Sequence, residues 1–225
     1  MIKNYYATSL YGENLKRVYD IAPRRVQHYL EAEIDFVLKK VKGMNFVVEL
    51  GCGYGRVMKS VSPHVTNMVG IDTSGGTLAF GRKYLSELSN CHLVQMDASR
   101  LGFTHSMVDA VLCVQNGLSA FRVDSKSVVE EALRVTRQGG LLLFSSYSPK
   151  FWEHRLEWFH LQAEEGLIGE IDDSRTKEGV IYCKDGLKLT YVGKTQFLKL
   201  FSTEKTRVSV EEVDESSVFC TVEVL

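Results

Sequence analysis

Between residues 46 and 147 the chain repeats one pattern: a short, nearly unbroken apolar run, then a stretch whose apolar residues recur at helical spacing. The runs fall at 46–50, 68–72, 91–97, 108–115 and 139–147. Strands facing water on one side alternate apolar with polar residues; runs apolar throughout are covered on both faces, as in a parallel sheet with helices on either side. Right-handed crossovers make the expected architecture α/β, a doubly wound sheet. Helices are expected at 77–88, from Arg56, and from Asp124 as cap through Arg137, after an amphipathic helix at 23–42 that Pro23 opens and Gly43 closes.

After Pro149 the pattern changes. A helix carrying Trp152, Trp158 and Phe159 is expected over 151–167, and residues 180–192 alternate around Asp185-Gly186, a strong hairpin signal. A short helix near 195–201 precedes two closing strands, 206–213 and 217–224, close enough in sequence to pair antiparallel.

Charge narrows the function. The 225 residues carry a formal net charge of -1, and the densest basic spots are the pairs Lys16-Arg17 and Arg24-Arg25 in helical stretches. A chain gripping many phosphates needs a basic stripe, so no nucleic-acid partner is expected. The five cysteines are odd in number, form no CxxC pair and have no histidine at zinc-finger spacing, which points to a reduced compartment and no metal. The N-terminus has no apolar signal core and no run reaches membrane-spanning length, so the expectation is a cytoplasmic protein without a membrane partner.

The segment "VVELGCGYGR", residues 47–56, carries the most chemistry. Ligands of open α/β sheets sit beyond the carboxyl ends of the strands, where strand order reverses. Gly51, Gly53 and Gly55 would let the backbone approach such a ligand closely. A dinucleotide turn wants G-x-G-x-x-G, but Arg56 stands where its third glycine belongs, and Glu49 precedes the turn. A carboxylate there repels a pyrophosphate and attracts an ammonium group. Two further strands also end in acids, Asp72 and Asp97.

This set resembles the class I S-adenosylmethionine-dependent methyltransferases, small-molecule type. "VVELGCGYGR" is similar to the first family motif, "VGIDTS" to the second, "QMDASRLGF" to the adenine-side motif, "VDAVLCVQNGLSAF" to the fourth, and "EALRVTRQGGLLLFSSY" to the helix–turn–strand segment with paired glycines. The resemblance implies a Rossmann-like, mostly parallel seven-stranded sheet with an antiparallel C-terminal strand pair, here with an inserted β-hairpin. It implies a single domain: 1–42 a helical cap, 43–148 the cofactor-binding core, 149–205 a substrate-side insertion, 206–225 the closing strands. It also implies S-adenosylmethionine as cofactor, with S-adenosylhomocysteine as product. Glu49 would hold the ammonium group, and Gly51, Cys52, Gly53, Gly55 and Arg56 would pass along the amino-acid end. Asp72 with Thr73 would take the ribose, Asp97 and the Ala98 N–H the adenine, and Gln115 would line the methyl-transfer point through its carbonyl.

The acceptor is less readable. The Asn/Asp-Pro-Pro-aromatic tetrapeptide of enzymes that methylate adenine or glutamine amides is replaced here by Gln115-Asn116-Gly117-Leu118, and no Pro-Cys nucleophile occurs. A small N, O, C or S acceptor is what remains, with Asn116 and Tyr147 as catalytic candidates, Ser119 and Phe121 along the wall, and His154 or His160 as possible bases. The tyrosines Tyr5, Tyr6, Tyr11 and Tyr19 suggest a lid, with Tyr19 and Arg24 suited to packing and carboxylate binding. Monomer and homodimer both stay open, as does the role of 151–192. Two other readings stay on the table: a non-catalytic module that binds S-adenosylmethionine or S-adenosylhomocysteine, and an NAD-dependent oxidoreductase.

Overall fold

A computed structural model describes residues 10–121 and 123–225. Two helices open the described chain, α1 (Glu13–Asp20) and α2 (Arg24–Val41). Next come β1 (Phe46–Leu50), α3 (Arg56–Val61), β2 (Asn67–Asp72), α4 (Gly75–Tyr84), β3 (Cys91–Gln95), β4 (Val108–Cys113), α5 (Gly117–Ala120), α6 (Ser125–Val135) and β5 (Thr136–Tyr147). The C-terminal part adds α7 (Trp152–Glu164), β6 (Ile181–Tyr182), β7 (Lys188–Leu189), α8 (Lys194–Phe201), β8 (Thr206–Val213) and β9 (Ser217–Val224).

Among the described residues the large sheet runs β3-β2-β1-β4-β5-β9-β8, with β6 and β7 as a separate antiparallel pair. Strands β1 to β5 are parallel; β9 runs antiparallel to both β5 and β8. The order reverses between β1 and β4, which places the ligand crevice above their carboxyl ends.

Successive side chains of each strand serve opposite faces. Val47, Met68, Ala110, Leu112 and Leu143 pack under α2, α3 and α4. Their neighbours Val48, Ile71, Val111, Leu142 and Phe144 pack under α6 and α8. A third cluster joins α1, the start of α2, Tyr147, α7 and the β6–β7 hairpin, and it forms the cap of the crevice.

Local chemistry moved several boundaries. The helix expected at 77–88 starts earlier, because Ser74 Oγ accepts the Thr77 N–H at 3.3 Å, and it ends at Tyr84, where Leu85 and Leu88 turn without leaving the core cluster. Asp124 holds the N-cap position of α6, but its side chain does not bond the helix backbone; it takes the Ser127 hydroxyl at 3.4 Å instead. The fifth strand begins at Thr136, three residues before the paired glycines, which sit at a register shift against β4. A Cβ at Gly140 would lie 2.8 Å from the Arg137 carbonyl oxygen, so this irregularity needs glycine. The closing strands and the antiparallel hairpin lie at the expected positions.

Candidate functional site

A cavity of about 700 Å³ lies over the carboxyl ends of β1, β2, β4 and β5. Its floor is the glycine turn. Glu49, on β1, is 4% exposed, and its Oε2 has no hydrogen-bond partner among the described residues. Burial pushes its carboxyl up to about 8, against the pull of the Arg56 guanidinium and with a further push from Asp72. Ionising a buried carboxyl with one bare oxygen is costly, unless a cation meets that oxygen.

Gly51 and Gly53 adopt φ of +69° and +55°. A Cβ on Gly51 would come within 2.7 Å of the Phe121 ring, and one on Gly53 within 3.0 Å of Leu15, both cavity walls. Gly55 departs from expectation. It lies outside the cavity wall, has φ +89°, and a Cβ there would sit 2.5 Å from Leu85 Cδ1. Its role is to start α3 and let α4 pack closely. Gly55→Ala should therefore lower stability by roughly 2–4 kcal/mol, summing left-handed strain and overpacking, as thermal melts would read. Cys52 is buried in the floor, its N–H donating to Ile71 O at 2.9 Å.

Asp72 closes β2 and stiffens the turn: Oδ2 accepts the Gly53 N–H at 3.0 Å and Oδ1 the Ser74 N–H at 2.8 Å. Each oxygen keeps a second lone pair for a hydroxyl. Thr73 lines the wall beside it. Asp97 comes after β3 on an exposed loop, where Oδ1 accepts the backbone N–H and hydroxyl of Ser99; Ala98 is buried next to it, and both line the cavity.

At the centre, Gln115 Oε1 accepts from Tyr19 Oη at 2.8 Å and from Arg56 Nη2 at 3.0 Å, while the guanidinium lies 4.8 Å from the Tyr19 ring centroid. Gln115 and Asn116 both take left-handed backbone, φ +53° and +61°. Two such residues in succession are strained, the kind of conformation that surrounding structure must over-determine. The clamp is Ser145, whose Oγ accepts the Gln115 N–H at 2.7 Å and donates to buried Glu33 at 2.5 Å. Burial pushes Glu33 up to about 7. Glu33 was not among the expected residues; its signal was an acid within the apolar stripe of the helix at 23–42.

Asn116 lines the cavity, but its amide is committed elsewhere. Nδ2 donates to Thr190 O at 2.9 Å and Oδ1 accepts from Ser146 Oγ at 2.7 Å. That corrects the expectation of a side chain pointing at donor or acceptor. Ser119, also in the wall, donates to Asn116 O at 3.1 Å. Tyr147 is buried in the wall, with the Arg155 guanidinium 4.5 Å from its ring centroid.

The roof is α1 and α7. Trp158 Nε1 donates to Val18 O at 2.9 Å across the cavity, and the Gly12 N–H reaches Thr77 Oγ1 at 3.3 Å. Tyr19 hangs from this roof; Tyr11 is exposed and outside the wall, and Tyr5 and Tyr6 lie outside the described residues. Arg24 is exposed on the first turn of α2, away from the cavity, because α2 turns the opposite stripe inward; Arg56 is the cation beside the turn. His154 and His160 face the outside of α7, near Glu157 (3.9 Å) and Asp173 (3.2 Å), and neither lines the cavity. The insertion is thus cavity wall, supplying Arg155, Trp158, Phe159 and Gln162 from α7 and residues 186–190 from the hairpin. Among the described residues, no cluster of His, Cys, Asp or Glu suits a metal ion, and no helix is long and apolar enough to cross a membrane.

Residues 47–140 match a family model described as a methyltransferase domain. The fold is similar to that of protein PH0226 from Pyrococcus horikoshii OT3, with TM-score 0.72 and 19% identity over 100% of both chains. It is similar to the N-methyltransferase NodS from Bradyrhizobium japonicum WM9 in complex with S-adenosylhomocysteine, with TM-score 0.63 and 14% identity over 99% of both chains. A third likeness is to an S-adenosylmethionine-dependent methyltransferase from Clostridium acetobutylicum ATCC 824, with TM-score 0.61 and 14% identity over 86% of this chain and 91% of that one. No curated protein matches the sequence.

Proposed function

We propose that this chain is a class I S-adenosylmethionine-dependent methyltransferase that methylates a small molecule at an N, O, C or S atom, a reading supported by the methyltransferase-domain match over residues 47–140. The observation that carries the proposal is the roof. A hydrogen bond from Trp158 to Val18 O joins α7 to α1 over the cavity, leaving a chamber suited to a compact acceptor rather than a polymer.

The donor half fits the cofactor. The bare, buried Oε2 of Glu49 is matched by an ammonium group, and Arg56, oriented by Gln115 and Tyr19, is placed to meet a carboxylate. Gly51 and Gly53 keep the turn free of side chains, Asp72 offers lone pairs to ribose hydroxyls, and Asp97 with the Ala98 N–H would meet the adenine edge. When bound, S-adenosylmethionine supplies a methyl group on a cationic sulfur, so the protein's tasks are alignment and exclusion of water. The strained turn at Gln115 and Asn116 fixes the edge of the transfer zone. Tyr147 would orient the acceptor through its ring. With both α7 histidines outside the wall, no histidine base is proposed.

Calorimetric titration with S-adenosylhomocysteine, then labelled methyl transfer to a metabolite panel, tests this. Binding below about 1 mM and transfer to a small acceptor are expected; binding without any transfer would favour a non-catalytic module. Asp72→Asn should weaken S-adenosylhomocysteine binding roughly 5- to 150-fold, the loss of one charged hydrogen-bond partner. Unchanged affinity would remove Asp72 from the ribose site.

A further inference from the structure

The stripe that α2 turns inward is apolar at Val26, Leu30, Phe36, Val37 and Val41, yet Glu33 stands in the middle of it, 1% exposed. An apolar side chain would fill this position at lower cost, since a buried carboxyl must be desolvated. A residue that breaks the local pattern in this way calls for a functional account. Neither Glu33 nor its partner Ser145 lines the cavity, so whatever Glu33 does there it does through other residues.

The contacts trace one chain of hydrogen bonds. Glu33 Oε1 accepts the Ser145 hydroxyl at 2.5 Å, and Ser145 Oγ accepts the Gln115 N–H at 2.7 Å. A serine hydroxyl has one proton and rotates to suit its surroundings. Committing that proton to Glu33 fixes the rotor and aims a lone pair at Gln115. Ser145 O also accepts the Asn116 N–H at 3.0 Å, so both left-handed residues hang from Ser145, one of them through the hydroxyl that Glu33 orients. At its far end Gln115 presents Oε1, which holds Tyr19 and Arg56 in the cavity wall. Bonds linked in this way in a dry interior polarise one another. The chain thus runs from α2 through β5 to the turn after β4 and ends on the guanidinium.

We propose that Glu33 is a positioning residue of the donor site: it fixes the Ser145 hydroxyl, and through it the Gln115 turn that holds Arg56 and Tyr19 in place. This rests on the methyltransferase reading above. The competing route is direct, because the Glu33 charge attracts the Arg56 guanidinium through the interior. Glutamine at 33 separates the two: it keeps an acceptor for Ser145 and removes the charge. Its Nε2 also finds an acceptor in Tyr29 Oη, which is buried without a hydrogen-bond partner one turn earlier on α2.

The test uses the full-length protein, with amide exchange followed by NMR in the absence of ligand and S-adenosylhomocysteine affinity measured by calorimetry. In Glu33→Met the Gln115 amide should exchange at least about fivefold faster, while the amide of Leu112, inside β4, changes less than that; a merely structural loss would show at Leu112 as well. Affinity for S-adenosylhomocysteine should fall at least about fivefold, and Glu33→Gln should recover both readouts to within about threefold of wild type. Ser145→Ala should match Glu33→Met. Combining the two should cost less than about twofold beyond Ser145→Ala alone, because residues acting in one chain are not additive. Smaller effects of Glu33→Met on either readout overturn the proposal, as does a Leu112 amide that accelerates as much as Gln115. It is overturned equally if Glu33→Gln is as damaging as Glu33→Met, which would give the effect to charge, or if the two losses add. Should Glu33→Met fail to fold, Ser145→Ala decides by the same two readouts. A wild-type protein that binds no S-adenosylhomocysteine overturns the methyltransferase reading instead, and the ligand-free exchange rates still show whether Glu33 holds the turn.

Discussion

Replacing Glu49 with glutamine is expected to stabilise the free protein at pH 8 and to remove most of its affinity for S-adenosylhomocysteine. Burial lifts the Glu49 carboxyl from its ordinary 4.5 to about 8 in the folded chain. Over that window the folded state holds a proton that the unfolded chain has released, so stability falls as pH rises from about 4.5 toward 8. Glutamine mimics the protonated form and removes the penalty, raising stability at pH 8 by roughly 1–3 kcal/mol. Glu33, lifted to about 7, carries a penalty of the same sign and stays in the variant, so some pH dependence remains. Binding runs the other way. An ammonium group prefers ionised Glu49, so wild-type affinity should fall about tenfold per pH unit below 8. The variant should lose this slope and bind about 10- to 150-fold more weakly at pH 8, as for a lost charged hydrogen bond. Calorimetry between pH 6.5 and 8.5 and melts at pH 5.5 and 8 read both halves. A flat wild-type affinity profile, or a variant less stable than wild type at pH 8, would contradict the ammonium assignment.

The same carboxylate explains why so much of the proposed donor site could be read from residues alone. In a parallel sheet, covalent order puts the turn after each strand at that strand's carboxyl end, on the ligand side. An acid and glycines at 49–55, and further acids at 72 and 97, therefore lie on one rim before any packing is known. The half of the cavity walled by α7 has no such constraint. Arg155 and Gln162 belong to a helix whose inward face is chosen by the roof contact to α1 and by the hairpin, both distant in sequence. Trp158 and Phe159 announced an apolar stripe, but nothing local says that the polar residues of that stripe point to a chamber. His154 and His160 show the converse: chemically apt residues one step around the helix, aimed at solvent-side acids. Arg24 fails in the same way, on the wrong side of α2. Gly55 cannot be told from its neighbours in the sequence because three glycines in alternation look alike, although two face Phe121 and Leu15 of the cavity wall and the third clears space for Leu85.

Asn116 supplies the second large effect, and it separates a latch from a reacting group. Its amide donates to Thr190 O, just past the β6–β7 hairpin, and receives Ser146 Oγ, which in turn accepts the Val192 N–H at 2.8 Å. Asn116→Ala removes one donor from Thr190 O, leaves the buried Ser146 hydroxyl proton without its acceptor, and places alanine at φ +61°. The expected loss is roughly 3–5 kcal/mol, the sum of two unmade hydrogen bonds and left-handed strain. Asn116→Gly removes the same bonds without the strain, so it should melt higher than alanine by an amount worth about 1 kcal/mol. Both variants free residues 186–190, which line the cavity wall, so under the proposed function KM for the acceptor should rise about tenfold or more while kcat changes less than about tenfold, measured well below the melting temperature. S-adenosylhomocysteine affinity should hold within about twofold, because the donor contacts lie on other strands. A kcat falling a hundredfold or more with KM unchanged would instead mean a contact made only in the transition state. That result would return Asn116 to the reaction centre, and with it the question of how an amide already bonded at both ends could reach a reacting atom. The strain at Gln115 and Asn116 argues for the latch. A backbone held in two consecutive left-handed residues needs partners on both sides, and Ser145, Ser146 and Thr190 are those partners.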